Sequence, residues 1–500
     1  MNHGILAPIV LPLITAILLI LLSGRRSLIR SISLLSATAS LGICVWLLMQ
    51  ASDGQIRLYA PGNWQPPFGI LLVLDRLSAL MLLVTAVLAF FSIAYAVRGH
   101  DAPGDKLHAM VHFLLVGVNG AFLTGDLFNL FVFFEILLIS SYGLLLHGRG
   151  VERARSGLHY VIVNLIGSAL FLMGVSALYG ITGSLNMADL GDKMAKLDPA
   201  DAPLAATAGI LLLVVFGLKA AMAPFYFWLP RAYAAASAPV AAMFAIMTKV
   251  GIYAIIRVYT QIFGENAETL ANFAWWWLWP IALVTLVMGL LGALSARELR
   301  VQIAYLVIVS VGTLLAGIAL NREAGLAASL YYLIHSTMIC GAMFLLADLI
   351  LRQRGELLDH IGEGPRLRQS ALLGVLFFIA AVAVAGLPPF SGFIGKLLLL
   401  NAAGVQADAV VLWIIVLAGS LTTLIALSRS GSMIFWQTTD QVESAPAADK
   451  GALLAVIGLL GCVMVVTFAA GPILDYTFKA AQQLREPGVY LQAMQQFRVR

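Results

Sequence analysis

Four charged residues sit deep within apolar stretches: Glu135 in LFVFFEILLIS, Lys219 in VVFGLKAAMAP, Lys249 in FAIMTKVGIYA and Lys396 in GFIGKLLLLN. A lysine at the centre of a membrane helix costs about 2.5–3.5 kcal/mol on insertion scales. Residues that carry such a cost face the protein interior, pair with one another, and mark ion or proton paths. A lone carboxyl in lipid stays neutral, whereas a neighbouring ammonium holds it ionised. The simplest arrangement is therefore an ion pair between Glu135 and Lys219, the next charged residue of the apolar spans. Moving a proton or cation near such a pair weakens or strengthens it, so it can pass a charge signal sideways. The competing reading is a static pair that fixes helix packing.

Burial also brings an ammonium close to releasing its proton near neutrality, which suits Lys219 and Lys249 to a relay across the membrane midplane. For Lys249 and Lys396 the competing reading is a side chain that snorkels to an interface. Lys249 lies eight residues before Arg257, well inside its apolar span. His335, in LYYLIHSTMIC, is a second kind of candidate, because imidazole titrates near neutrality. A hydrogen-bonded packing histidine remains its alternative. Asp75 and Asp126 open apolar segments, where capping and the helix dipole favour acids; both are also candidates for ion entry or cation contact, as is Asp348 near the end of its span.

These side chains need a scaffold, and the composition says which kind. The chain has 500 residues, of which 61% are hydrophobic and only 11% charged. Soluble domains carry about 45–50% apolar and about 25% charged residues. This is the composition of an all-α polytopic membrane protein. Apolar segments of about 18–25 residues match a hydrocarbon core about 30 Å thick, and they predict about fourteen transmembrane helices. The segments 204–226 and 370–400 contain Pro224 and Pro388–Pro389, so both helices are expected to break there. Irregular backbone at membrane depth survives only where protein or a watery cavity covers it. Lys219 lies five residues before Pro224 and Lys396 seven after Pro389, a reversed order that an inverted repeat would show.

Arg25, Arg26, Arg30, Arg149, Arg153, Arg155, Arg297, Arg300, Arg352, Arg354, Arg366 and Arg368, among others, fall in alternate loops, a bias that places both termini on the outer face. The net charge of +5 fits this asymmetry better than nucleic-acid binding. Cys44, Cys340 and Cys462 are scattered, with no CxxC and no Cys/His cluster, so neither a metal site nor a disulfide framework is expected. No GxGxxG follows a strand and no GxxxxGK[ST] appears, so no nucleotide cofactor is expected either. The first apolar run, 5–22, reads as a helix and not as a removed signal peptide.

The stretch GLKAAMAPFYFWLPRAYAAASAPVAAMFAIMTKVGIYAIIRV, from Gly217 to Val258, resembles the proton-translocating antiporter-like subunits of respiratory complex I and of Mrp-type multisubunit Na+/H+ antiporters. The resemblance extends to VFFE ending at Glu135, to ELRVQIAYLVIVSVG from Glu298 and to GLPPFSGFIGKLLLL from Gly386. Within the family, GDLFNLFVFFEILLISSYGLLLHG is most similar to the D-type subunits of Mrp antiporters.

The resemblance implies fourteen helices with two inverted five-helix repeats. Residues 1–106 would hold three N-terminal helices, 107–259 and 272–436 the repeats, and 451–500 a last helix and tail. It implies a proton row Glu135–Lys219–Lys249–His335–Lys396 in a bacterial inner membrane, driven by the proton-motive force. The implied partners are a large A-type subunit and small membrane subunits, with Na+ or K+ exchanged for protons. The alternative is a proton-pumping subunit of a quinone reductase or membrane-bound hydrogenase. One departure concerns the eleventh helix. Where many relatives carry a pattern like NHALFKGALF, this chain has HSTMICGAMF, with Cys340 at the lysine position and His335 one residue early.

Overall fold

The computed structural model describes residues 3–148, 150–405, 407–442 and 446–499. The chain runs through α1 (Ala7–Leu21), α2 (Arg26–Ala51), α3 (Arg76–Ala96), α4 (Leu107–Leu123), α5 (Leu127–Leu146), α6 (Val151–Thr182), α7 (Met187–Met194), α8 (Ala202–Ala220), α9 (Leu229–Ala235) and α10 (Ala238–Gln261). It continues through α11 (Phe273–Ser295), α12 (Leu299–Ala319), α13 (Glu323–Leu351), α14 (Ser370–Ala385), α15 (Ser391–Ala403), α16 (Ala407–Phe435), α17 (Lys450–Phe468), α18 (Ala470–Leu484) and α19 (Pro487–Val499). Among the described residues, eleven helical segments are long and apolar enough to cross a membrane, and α1, α4, α14 and α15 are shorter apolar helices. The protein is a multi-pass membrane protein. Two polar stretches of the sequence also hold helices: α7 lies within 183–203, and α18 and α19 occupy most of the tail after Gly471.

The bundle has a centre and a rim. The most apolar stretch of α10 is wholly buried, that of α13 is 94% buried and that of α12 is 89% buried, against 33% for α2 and for α16. Helix α13 packs on α10, α12, α15, α17 and α18, which makes it the hub of the second half. Lys249 lies on this inner set, Lys219 and Lys396 on its neighbours α8 and α15, and Glu135 further out on α5, beside α6.

Helix α8 ends at Ala220, with Ala221 left-handed at φ 60°, and helical backbone resumes only at Phe225. Helix α14 ends at Ala385, with Gly386 left-handed at φ 78°, and α15 begins at Ser391. Each end is closed by the same pair of backbone bonds: Ala221 N to Leu218 O (3.1 Å) with Met222 N to Gly217 O (2.8 Å), and Gly386 N to Ala383 O (3.2 Å) with Leu387 N to Val382 O (3.2 Å). Left-handed closure of this kind satisfies the last carbonyls of a helix.

The two halves share a further device. The N-terminus of α5 is clamped by Leu127 N to Leu185 O and Met187 N to Gly125 O, both 2.9 Å. That of α12 is clamped by Leu299 N to Asp359 O (2.9 Å) and Ile361 N to Arg297 O (2.8 Å). In each case a residue beyond the following helix returns to form one bridge, Asp126 with Asn186 and Glu298 with His360.

Candidate functional site

Helix α6 separates the two residues expected to pair. Glu135, half-buried on α5, accepts a hydrogen bond from the Ser168 hydroxyl. Ser168 also lies 3.1 Å from the Asn164 carbonyl oxygen. Lys219, 4% exposed at the end of α8, donates to Asn164 O (3.4 Å) and Oδ1 (3.3 Å), and its ammonium lies 6.0 Å from the Phe134 ring centroid. No Glu135–Lys219 ion pair within 4.0 Å is formed among the described residues, which corrects the simplest sequence expectation. The reason is steric: α6 packs against both α5 and α8, so its polar groups stand between the two charges. Asn164 and Ser168 were missed from sequence. Their signal was available, two polar residues four apart on one face of the apolar run YVIVNLIGSALF.

Lys249 is fully enclosed on α10 and donates to Ser310 Oγ of α12 at 3.1 Å, while Ser310 donates to Val307 O at 2.6 Å. On its other side stands α13, where the Cys340 thiol is close enough to interact electrostatically with Lys249. His335 lies five residues earlier on α13 and is 1% exposed. Its Nδ1 is 2.9 Å from Ser391 Oγ at the start of α15, and the Ala383 backbone contacts the ring as well. A Cβ on Gly392 would lie 2.3 Å from Ala383 O and 2.7 Å from His335 Nε2, so only glycine lets α15 close on this histidine. Lys396 donates to Ala385 O (2.8 Å) and to Ser420 Oγ of α16 (2.9 Å). Ala385 is the last residue of α14, so the ammonium sits on the negative end of that helix dipole.

The row therefore falls into three polar groups: Glu135–Ser168–Asn164–Lys219, Lys249–Ser310, and His335–Ser391 with Lys396–Ser420. Helix α13, which carries both Cys340 and His335, packs against α10, the helix of Lys249, and against α15, the helix of Lys396. Each buried ammonium has hydroxyl, amide or backbone carbonyl partners, and none has a carboxylate within 4.0 Å among the described residues.

The three aspartates are each engaged by protein groups. Asp75, fully buried, caps α3 through Ser78 N (2.8 Å) and accepts Arg257 Nη1 (2.5 Å) and Nη2 (2.9 Å), with the Tyr490 hydroxyl on the same carboxylate. Its oxygens are filled by protein donors, which leaves little for a cation. Asp348 accepts from Tyr95 OH (2.7 Å) and contacts His100 Nε2 (3.0 Å) and Arg352 Nε (2.8 Å). Asp126 caps α5 through Asn129 N at 2.7 Å, and burial pushes its carboxyl up to about 6 despite that bond.

A family model described as NADH:quinone oxidoreductase/Mrp antiporter, transmembrane, matches residues 124–425. The D-type subunit of a probable K(+)/H(+) antiporter of Rhizobium meliloti is 40% identical, over 97% of this chain and 96% of that protein. The D-type subunit of the Na(+)/H(+) antiporter of Bacillus subtilis is 35% identical, over 99% of each. Among solved structures, a chain of the Mrp complex from a Dietzia species superposes with a TM-score of 0.90 at 30% identity, covering 99% of this chain and 100% of that one. The site residues Glu135, Lys219, Lys249, His335 and Lys396 all fall within the matched region. On these grounds the chain belongs to the NADH:quinone oxidoreductase/Mrp antiporter family of transmembrane subunits.

Proposed function

We propose that this chain is the proton-translocating subunit of a multisubunit monovalent cation/proton antiporter, working with other membrane subunits and driven by the proton-motive force. The observation that carries the reading is the enclosed row itself. Three buried ammonium groups and one histidine are spaced through the middle of the bundle with exchangeable partners, and a single half-buried carboxylate stands at one end. A row so rich in cationic side chains repels Na+ and K+ and favours protons. The metal ion then crosses in a partner subunit. Both K+ and Na+ appear in the names of the related D-type subunits, so the exchanged ion is left to experiment.

In this reading Glu135 and Lys219 exchange a proton through Ser168 and Asn164, Lys249 is the central relay, and His335 with Lys396 forms the far end. His335 and bridging water replace the lysine route interrupted by Cys340. The matched clamps on α5 and α12, and the matched breaks after α8 and α14, support a division into repeats at 107–259 and 272–436.

The test uses everted vesicles from cells lacking their own antiporters and expressing the whole gene cluster around this chain. Adding Na+, Li+ or K+ to respiring vesicles collapses the pH gradient if antiport occurs. At matched complex abundance, Lys219→Ala and Glu135→Gln are expected to slow the collapse by at least about tenfold. Retention of wild-type collapse in Lys219→Ala would count against a proton path through this row. The absence of any cation response from an intact complex would favour the redox-driven alternative.

A further inference from the structure

Outside the row, a second chain of titratable groups runs into the bundle from the membrane face that carries Arg30. Arg30 of α2 holds Asp101 with two bonds, Nε to Oδ2 at 2.6 Å and Nη2 to Oδ1 at 2.7 Å. His108 Nε2 of α4 lies 3.3 Å from Asp101 Oδ2, and His108 Nδ1 lies 3.0 Å from Ser33 Oγ of α2. The same Ser33 oxygen is 3.0 Å from His112 Nε2, one turn further along α4. His112 is wholly buried, and its Nδ1 has no hydrogen-bond partner among the described residues. Arg30, at the outer end, is 37% exposed.

One assignment of protons satisfies every link of this chain. His108 gives its Nε2–H to Asp101, Ser33 gives its O–H to His108 Nδ1, and His112 gives its Nε2–H to Ser33 Oγ. The inner end is then a bare lone pair on His112 Nδ1. A buried acceptor left open is costly, so such a group in a native structure calls for an explanation. Helices α4 and α5 form an antiparallel pair in which Gly117 lies against Leu137 and Met110 against Gly143. That register sets His112 at the depth of Ser141, six residues or about 9 Å along the α5 axis from Glu135, which stands on the side of α5 that meets α6. Tyr142, beside Ser141, interacts electrostatically with Glu135.

We propose that His112, Ser33, His108 and Asp101 form a hydrogen-bonded wire that conducts protons between the Arg30 face of the membrane and the Glu135 end of the row. The inference rests on the reading of Glu135 and Lys219 as proton carriers. A proton taken up on His112 Nδ1 makes that ring an imidazolium, which releases its Nε2 proton to Ser33 Oγ. Ser33 passes its own proton to His108 Nδ1, and His108 releases its Nε2 proton to Asp101. One proton enters and one leaves, with no heavy-atom bond made or broken. The two rings then return to their starting tautomers before the next passage.

A clamp that merely ties the α3–α4 connection to α2 would use the same bonds, so the test must separate conduction from anchoring. In everted vesicles bearing the whole complex, the variants are Ser33→Ala, Ser33→Thr and His112→Gln, with Lys219→Ala in parallel, all at matched abundance. Conduction predicts that Ser33→Ala and His112→Gln lower the maximal rate of cation-triggered collapse by about tenfold. The cation concentration giving half the rate is unchanged, and Ser33→Thr, which keeps the hydroxyl, restores the rate. Wild-type rates in both Ser33→Ala and His112→Gln would overturn the wire. So would a loss in Ser33→Ala that Ser33→Thr does not repair. If Ser33→Ala does not assemble, His112→Gln decides: a wild-type maximal rate overturns the wire, and a lower maximal rate at an unchanged half-rate cation concentration bears it out. Full activity in Lys219→Ala would instead overturn the proposed function, whatever the wire variants do.

Discussion

At the first helix break the chain leaves α8 through Ala221 and carries Lys219 in the turn just before it; at the second it leaves α14 through Gly386 and receives Lys396 from α15, the helix just after. The backbone bonds that close the two ends are the same in kind. The lysines are bonded differently. Lys396 donates to Ala385 O, a terminal helix carbonyl, and to a serine. Lys219 points away from its own helix end to Asn164, which shares Ser168 with Glu135. A carbonyl cannot change its charge, whereas a carboxylate can. The second lysine is thus held by a fixed dipole and the first by a partner network whose charge can be altered. The same backbone device leaves one lysine bonded to a helix end and the other to a side-chain network, according to the side of the break from which the lysine comes.

Removing the lysines breaks the comparison most sharply. Lys396→Ala is expected to reduce cation-triggered collapse of the pH gradient by about tenfold. Because no carboxylate among the described residues lies within bonding distance of Lys396, a Glu135→Gln change should add to the Lys396→Ala loss independently, while Glu135→Gln and Lys219→Ala should be strongly non-additive. Measuring collapse rates in the single and double variants checks both statements.

A smaller effect separates the two closing residues. Gly386→Ala places a side chain at φ 78° and brings its Cβ within 2.7 Å of Lys396 Cδ, so it should destabilise by about 1–3 kcal/mol and displace Lys396. Ala221→Gly relieves a left-handed alanine at φ 60° and should stabilise by up to about 1 kcal/mol. Thermal unfolding of the purified complex, followed in detergent, reads both signs. Equal shifts in the same direction would show that the breaks are not equivalent in backbone energetics.

The smallest effect lies at the mouth of α5. Asp126 has a folded value raised to about 6 from 3.8, so folding favours its neutral form. Its burden on stability is absent at low pH and grows as pH rises past the unfolded value, becoming complete above the folded one. The melting temperature of the wild type should therefore fall more between about pH 4 and about pH 7 than that of Asp126→Asn, whose amide still caps the helix.

The sequence made the scaffold legible because lipid leaves few choices. Apolar length marked the spans, and four charges within them marked the interior. Pro224 and Pro389 lie where helix gives way to irregular backbone, but the closing conformation at Ala221 could not be read, since alanine carries no left-handed signal. The partners of the row were harder still. Ser310, Ser391 and Ser420 are ordinary helix serines until tertiary packing brings them to Lys249, His335 and Lys396. Asp75 and Arg257 are 182 positions apart, so nothing local links them, and the buried clasp they form with Tyr490 could not be read from the chain. Helix α6 misled in the opposite sense: charge alone suggested a direct Glu135–Lys219 pair, and two small polar residues between them carry the connection.

The complete enclosure of the apolar stretch of α10 has a consequence for how the molecule changes over evolutionary time. A rim helix such as α2 or α16 has a lipid-facing side on which one aliphatic residue replaces another with little penalty. Along α10 almost every outward direction meets another helix, so each exchange alters packing somewhere. Drift should accumulate around the perimeter while the segment bearing Lys249 changes only in step with its neighbours.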